Sequence, residues 1–274
     1  MKIKAYAKIN PYLHVVGTLP SGMHCLKTVI QPIELCDSLD IDVLAGNGKI
    51  DFCCDVSEFD NDDNLVVKAC KTFAERTGLC FDVSIKLYKV IPSGAGLGGG
   101  SADAAAVLCY LNEHFERPLS EDELVELGYT LGWDVPPLVM GGRVLVDEGG
   151  AEPRLVRLKD PVQAEIVIIK PPFSVNTAEA FRRFDELGGA NSADENHLER
   201  ASGHADEIAE IKRKLLSLGA EEALMTGSGS AVFGRVAPAG ISYADSAEKR
   251  FCSSVIEKEF GDEYMVFLTR YFLG

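Results

Sequence analysis

The chain has 274 residues, and 46% of them are hydrophobic, which allows a larger buried core than one average domain needs. Its formal net charge is −15 and no cluster of lysine and arginine opposes that charge, so a surface for DNA or RNA is not expected. A small anionic ligand stays compatible with this composition, because backbone N–H groups and one or two cations are enough to bind it.

The positions of cysteine and lysine bear on the cellular compartment. The chain has eight cysteines without a C-x-x-C pair, and we expect them to be reduced and mostly buried. Lys2, Lys4 and Lys8 interrupt the first residues, and no segment approaches the length of a membrane span. We therefore expect a cytoplasmic protein that does not bind membranes and is a monomer or a weak homodimer.

Hydrophobic periodicity predicts the elements of the first half. Strict alternation from Lys2 to Asn10 predicts a strand whose polar face, which includes Lys8, is exposed to water. Ser120 and Glu123 form a predicted capping box at a helix start. Further strands are predicted at residues 12–16, 29–43 and 83–91, and helices at 61–77, from 101 onward and at 120–131.

A mixture of proline and charge at residues 152–160 predicts a domain boundary, which divides the chain into domains 1–151 and 152–274. This order of elements fits an open α+β sandwich. In the second part we expect a strand at 164–169, helices at 177–186 and 205–218, two strands within 222–236, a helix at 244–259 and a strand at 263–272.

A glycine-rich segment lies between the predicted strand 83–91 and the helix that follows it. Glycines are costly to order, so a tight connection alone explains this density less well than a phosphate site does. Bare N–H groups at a helix start can bind phosphate oxygens, and the helix dipole favours their charge. The predicted phosphate-binding residues are Pro92, Ser93, Gly94, Ala95, Gly96, Leu97, Gly98, Gly99, Gly100, Ser101 and Ala102.

Several kinds of phosphate site could use such a segment. Gly94, Gly96 and Gly99 satisfy G-x-G-x-x-G, but the segment does not follow the first strand and lacks the acidic strand end of a dinucleotide site. A Walker loop would need lysine where Gly100 stands, and the protein-kinase motifs H-R-D and D-F-G are absent.

Three stretches resemble the GHMP kinases, named for galactose, homoserine, mevalonate and phosphomevalonate. They are the glycine segment, residues 5–10 (Ala-Tyr-Ala-Lys-Ile-Asn) and residues 225–234, which begin Met-Thr-Gly-Ser-Gly-Ser. The resemblance implies a two-domain α+β fold, with a ribosomal protein S5 domain 2-like N-terminal domain and a ferredoxin-like C-terminal domain. It also implies ATP and Mg²⁺ as cofactors, and the protein ligands of the metal are unknown.

Five further segments resemble the members of this family that phosphorylate a cytidine diphosphate-linked methylerythritol on the non-mevalonate route to isoprenoid precursors. They are residues 7–10, 14–17, 21–24, 31–33 and 132–136. The resemblance implies that Lys8 and Asp134 form the catalytic pair. A carboxylate can orient or deprotonate the attacking hydroxyl while a lysine keeps it ionised, which suits phosphoryl transfer. Without the motif, Lys8 would be interpreted as a solvated strand lysine and Asp134 as the N-cap of a short helix.

The resemblance also supplies candidate substrate-binding residues and shows three departures. His24 is expected to hydrogen-bond the cytosine edge, where it could equally be a structural histidine, and Phe181 is expected to stack on the ring. The departures are Met23 where tyrosine is usual, Trp133 where a small residue is usual and Pro137 where phenylalanine is usual. The full set of substrate-binding candidates is Asn10, His24, Phe181, Thr226, Gly227 and Ser228.

The departures keep other functions open. A GHMP-type kinase of another small alcohol is the first alternative. A dinucleotide-dependent oxidoreductase and a catalytically inactive nucleotide-binding module are the others.

Overall fold

The computed structural model describes residues 1–150, 153–189, 193–236 and 253–273. In the first part, a short 3₁₀ turn at Ser57–Phe59 precedes the first helix. The other elements are β1 (Lys2–Ile9), β2 (Leu13–Thr18), β3 (His24–Ala45), β4 (Ile50–Cys54), α1 (Leu65–Thr77), β5 (Phe81–Tyr88), α2 (Gly99–His114), α3 (Glu121–Tyr129), α4 (Val135–Met140), β6 (Val144–Asp147) and β7 (Arg154–Arg157).

The larger sheet is organised around β3, which is 22 residues long. Its strand order is β4-β5-β3-β6-β7, and β1 and β2 also pair with β3. The start of β3 pairs with β2 and β6, and its end pairs with β1 and β5. Because one strand carries both groups of neighbours, the end of β1 is held at the middle of the sheet.

The second part has the element order and the strand order of a ferredoxin-like domain. Its four strands lie in the order β11-β8-β10-β9 and are antiparallel throughout. The elements are β8 (Glu165–Lys170), α5 (Thr177–Glu186), α6 (Ala205–Leu218), β9 (Glu222–Met225), β10 (Val232–Val236), α7 (Ser253–Phe260) and β11 (Met265–Arg270). The expected ferredoxin-like topology of the second part is thereby confirmed.

Three buried clusters hold these layers together. The first packs the helices of the first part on β1, β3 and β5, and the second packs α5, α6 and α7 on one face of the smaller sheet. The third lies between the sheets, where Ile9 and Ile33 meet Ile166, Ile168 and Phe233. The shared third cluster fixes the end of β1 against the loop between β9 and β10.

Most predicted elements are found, several with the expected caps. The Asn64 side chain caps α1, and Ser120 and Glu123 form the capping box of α3. The domain boundary predicted near residue 152 falls beside residues outside the described part and stays a prediction. Part of the helix predicted at 244–259 also lies outside it, and the described portion begins at Ser253.

Three expectations were wrong. Lys8 and Asn10 are 3% and 2% exposed, because the glycine segment and the loop between β9 and β10 cover their face of the strand. The strand β4 was not predicted. The seven described cysteines form no disulfide, but only Cys25 and Cys70 are buried, since the others lie on partly exposed faces or at element ends. Within the described ranges, no helix has the length and hydrophobicity to cross a bilayer.

Candidate active site

The glycine segment is bonded to other parts of the fold through its carbonyl oxygens. The carbonyl oxygens of Ala95 and Leu97 accept hydrogen bonds from the N–H groups of Ala231 (3.1 Å) and Lys8 (3.0 Å). The N–H groups of residues 96–101 find no acceptor within the described part of the chain. They lie at the N-terminus of the 16-residue helix α2, where the helix dipole favours an anion.

The same segment contacts the loop between β9 and β10. A Cβ on Gly96 would lie 2.1 Å from the Thr226 carbonyl oxygen, and the residue has φ of +74°. The Thr226 hydroxyl is 3.3 Å from the Gly96 carbonyl oxygen. Only glycine allows this approach at this backbone conformation, so the two glycine-containing loops meet directly.

A cavity of about 400 Å³ opens beside the start of α2. It is open to solvent on one side, and its size suits a nucleotide. The residues around it come from the glycine segment, the start of α1 and the end of β5, and they are Phe59, Asp63, Asn64, Leu65, Lys89, Ile91, Pro92, Ser93, Gly94, Gly98, Gly99, Gly100, Ser101 and Asp103.

Lys8 and Asp134 come together at the edge of the glycine segment. Lys8 Nζ lies 3.4 Å from Asp134 Oδ2, and the Asp134 side chain is 38% exposed. A Cβ on Gly98 would lie 3.0 Å from two carbon atoms of Lys8 and 3.6 Å from Asp134 Oδ2. The glycine segment therefore lies against Lys8 and Asp134, the candidate catalytic pair.

Asp134 occupies the N-cap position of α4, as the alternative interpretation expects, yet its side chain makes no capping hydrogen bond. Pro136 stands in the first turn of that helix, where a missing N–H costs nothing. The carboxylate is thus available to a ligand, and Lys8 is its ion-pair partner.

Asn10 joins Lys8 to both parts of the fold. Lys8 Nζ donates a hydrogen bond of 2.7 Å to Asn10 Oδ1, and the Asn10 N–H donates to the Thr226 hydroxyl at 3.0 Å. Asn196, which is also buried, donates to the carbonyl oxygens of Met225 (2.8 Å) and Gly227 (2.9 Å) and so holds that loop. Sequence reasoning missed Asn196, because a single asparagine outside any motif gives no signal.

A buried ionic triad lies under the cavity, and sequence reasoning missed it as well. Lys89 Nζ donates to Asp37 Oδ2 (2.5 Å) and Asp103 Oδ2 (2.7 Å). Asp37 also accepts hydrogen bonds from the N–H groups of Val90 and Ile91. Among the described residues, Asp103 Oδ1 is buried without a hydrogen-bond partner. Burial raises the pKa of Asp103 to about 7, and the neighbouring Asp37 carboxylate adds to the shift while Lys89 opposes it.

The cytidine candidates lie together at a distinct rim of the fold. The His24 and Phe181 rings stack with centroids 4.8 Å apart, and His24 Nε2 lies 2.8 Å from Asp185 Oδ1. Met23 is 42% exposed and Trp133 is 50% exposed. His24 thus has a protein partner in this conformation, and its expected bond to cytosine stays a prediction.

Ser228 connects the β9–β10 loop to helix α5. Its hydroxyl lies 2.8 Å from the Thr177 hydroxyl, at the first residue of that helix. Pro137 is buried within α4 and faces the fold interior rather than solvent. Contacts of Lys8, Thr226 and Ser228 therefore link β1, α4, the β9–β10 loop and α5.

The arrangement of strands is not that of a dinucleotide-binding βαβ unit. After α2, the next strand of the sheet is β6, and β3, which is antiparallel to both strands, lies between β5 and β6. In a dinucleotide fold, the strands before and after the helix are parallel neighbours. The G-x-G-x-x-G match in the segment is therefore a coincidence of composition.

Comparisons with known proteins agree with this geometry. The family model of the GHMP kinases N terminal domain matches residues 64–142, and the model of the GHMP kinases C terminal domain matches residues 177–249. A 4-diphosphocytidyl-2-C-methyl-D-erythritol kinase of Clostridium beijerinckii is 35% identical, with 98% of this chain and 99% of the relative covered. A kinase of the same name from Pelotomaculum thermopropionicum is 39% identical, with 85% and 88% covered.

A solved structure extends the comparison to three dimensions. The crystal structure of a 4-(cytidine 5'-diphospho)-2C-methyl-D-erythritol kinase covers 100% of both chains with a TM-score of 0.77 at 28% identity. Both parts of the chain and its overall fold are thus matched, and the resemblance found in the sequence is confirmed. The chain belongs to the GHMP kinase family.

Proposed function

We propose that this protein transfers the terminal phosphoryl group of ATP to the 2-hydroxyl of 4-diphosphocytidyl-2-C-methyl-D-erythritol, on the non-mevalonate route to isoprenoid precursors. The use of ATP follows from membership of the GHMP kinase family. The substrate is supported by relatives of that name that match 98% and 85% of this chain.

The glycine segment would hold the triphosphate. The unpaired N–H groups of residues 96–101 supply donors without competing acceptors, and the cavity beside them provides room for the nucleoside. Gly98 lies against both Lys8 and Asp134, so a phosphate chain on these amides would end beside the pair. This proximity is the observation on which the proposed function mainly depends.

Magnesium fits the site only together with the nucleotide. The described residues contain no group of three or more His, Cys, Asp or Glu side chains that could hold a metal by themselves. Mg²⁺ with ATP needs one or two protein oxygens besides the phosphates, and the Ser101 hydroxyl at the cavity edge would provide one. When bound, the ion would neutralise charge on the phosphate oxygens.

Lys8 and Asp134 would act on the attacking hydroxyl. Asp134 is partly exposed and makes no capping bond, so its free oxygen can accept the hydroxyl proton as the phosphoryl group arrives. Lys8 is buried and 3.4 Å away, where its ammonium pairs with the carboxylate and would balance charge on the transferred group. Asn10, Thr226, Gly227 and Ser228 would contact the methylerythritol part, and His24 and Phe181 the cytosine.

A substrate panel tests this proposal directly. The purified protein is supplied with MgATP and either 4-diphosphocytidyl-2-C-methyl-D-erythritol, mevalonate or homoserine, and ADP release is followed. We expect kcat/KM for the cytidine-bearing substrate to exceed the others by at least about 10³, because buried polar groups left unpaired reject analogues strongly. A preference for another alcohol would replace this function with the second candidate, which the exposed Met23 and Trp133 favour.

A further inference from the structure

The Asn10 amide helps to hold Lys8, and the shorter hydrogen bond of its NH₂ group goes to the buried hydroxyl of Thr28. Asn10 Nδ2 donates to the Thr28 hydroxyl at 2.8 Å and to the Val29 carbonyl oxygen at 3.3 Å. On its other side, Asn10 Oδ1 accepts from Lys8 Nζ at 2.7 Å. All three side chains are buried, with Thr28 only 4% exposed.

The direction of each hydrogen bond follows from the partners. The Thr28 hydroxyl lies 2.6 Å from the Tyr12 carbonyl oxygen, which can only accept, so its single proton points there. Toward Asn10 the hydroxyl can then only accept, and it requires the NH₂ end of the amide. The Lys8 ammonium can only donate, and it requires the oxygen end. Both requirements select the same orientation of an amide that could otherwise flip.

Pairing between strands fixes the place of the hydroxyl. Thr28 on β3 is opposite Leu13 on β2, and Tyr12 immediately precedes Leu13. Asn10 follows the last residue of β1, which pairs with the next segment of β3. The sheet therefore sets Thr28 between the Tyr12 carbonyl group and Asn10.

We propose that Thr28 is a positioning residue for phosphoryl transfer: its hydroxyl fixes the Asn10 amide so that the amide oxygen holds the Lys8 ammonium beside Asp134. This inference rests on the proposed function. Valine at position 28 has nearly the same shape but would leave the NH₂ group of the Asn10 amide only its longer bond to the Val29 carbonyl oxygen. A flipped amide would present NH₂ to the ammonium and displace it from Asp134.

Kinetics of Thr28→Val and Thr28→Ser test the proposal, with MgATP and 4-diphosphocytidyl-2-C-methyl-D-erythritol as substrates. We expect Thr28→Val to lower kcat about tenfold, the factor given by the loss of one ordinary hydrogen bond. KM for ATP should change less than about twofold, because in the described residues no hydrogen bond joins Thr28 to the glycine segment. Thr28→Ser keeps the hydroxyl and should recover kcat to within about threefold.

A double-mutant cycle and a matched control separate this role from a structural one. When Thr28→Val is added to Asn10→Ala, kcat should fall by less than about twofold relative to Asn10→Ala alone. The reason is that the amide that Thr28 positions is already absent. Thr77→Val removes a comparable hydroxyl, bonded to the Phe73 carbonyl oxygen in α1, and should leave kcat unchanged. Thermal unfolding checks that each variant is folded.

The outcomes distinguish the two proposals. Equal kcat values for Thr28→Val and the wild type, or additive losses with Asn10→Ala, would overturn the role of Thr28 alone. Failure of Thr28→Ser to recover kcat while Thr28→Val is folded would do the same. Absence of turnover by the wild-type protein would overturn the proposed function and this inference with it.

Discussion

At the scale of single residues, burial separates Lys8 from the other lysines of β1. Lys2 and Lys4 are exposed, whereas Lys8 is 3% exposed and has Asn10 and Asp134 as partners. A buried ammonium without partners would be strongly disfavoured, so the arrangement of the three side chains is mutually dependent. The sequence motif identified Lys8, but strand alternation predicted an exposed side chain, because the glycine segment that covers Lys8 is distant in sequence.

Asp134→Asn tests the role of the carboxylate. The amide keeps the shape but cannot accept the hydroxyl proton, so kcat should fall by about 10²–10⁴. Binding of MgADP, measured by calorimetry, should change less than about twofold because the loop amides remain. Asp122→Asn, at an exposed position in the first turn of α3, is the matched control. Activity close to that of the wild type in Asp134→Asn would exclude Asp134 as the base.

Asp103→Asn tests the buried triad through the pH dependence of stability. Burial raises the pKa of Asp103 to about 7, against about 3.9 for aspartate in an unfolded chain. At pH values between these two, folding is therefore accompanied by the uptake of a proton. The contribution of Asp103 to stability is therefore complete below the unfolded value and is lost as pH rises through about 7.

The variant removes this titration and leaves Lys89 its bond to Asp37. Urea unfolding at pH 5.5 and pH 8 should show a larger loss of stability at the higher pH for the wild type than for Asp103→Asn. Identical changes in the two proteins would mean that Asp103 is ionised throughout this range.

At the scale of elements, helices with clear caps and an apolar stripe were predictable. The bounds predicted for α5 and α6, 177–186 and 205–218, are those of the structure, because Asn176 begins one helix and Gly219 ends the other. Strand β4 was missed, since five residues beside a glycine turn give little periodicity. The candidate site was predictable where motifs exist, whereas Thr28, Asn196 and Lys89 act through contacts distant in sequence that no local pattern records.

Gly96→Ala tests the contact between the two glycine-containing loops. The new Cβ would meet the Thr226 carbonyl oxygen, and φ of +74° disfavours any side chain, so we expect a loss of roughly 1–3 kcal/mol in stability. Gly100→Ala is the matched control, because its Cβ would find no atom closer than 3.7 Å and lies in a helix. Denaturant unfolding measures both. Equal stability of the two variants would contradict the close contact.

At the scale of the whole molecule, the two sheets share a core. Phe233 is completely buried in the cluster between them, with Ile9 and Ile33 from the larger sheet. The backbone of Phe272 also donates to Pro32, which ties the end of the chain to β3. We therefore expect the two parts to unfold together.

Phe233→Ala tests the shared core. It should lower the free energy of unfolding by about 3–5 kcal/mol, whereas Leu44→Ala at an exposed position should change it by less than about 0.5 kcal/mol. Fluorescence of Trp133, the single tryptophan, reports on the first part, and far-ultraviolet circular dichroism reports on both. Coincident transitions are expected in the wild type. Separate transitions would show that the parts are stable independently.

The proposed reaction requires the glycine segment to direct ATP toward Lys8 and Asp134. A crystal structure with a non-hydrolysable ATP analogue, Mg²⁺ and 4-diphosphocytidyl-2-C-methyl-D-erythritol tests it most directly. We predict phosphate oxygens on the N–H groups of residues 96–101, and the 2-hydroxyl of the substrate within hydrogen-bond distance of Asp134 and in line with the terminal phosphate. Phosphates bound elsewhere would show that the glycine segment is not the ATP site. A substrate hydroxyl remote from Asp134 would exclude Asp134 as the base.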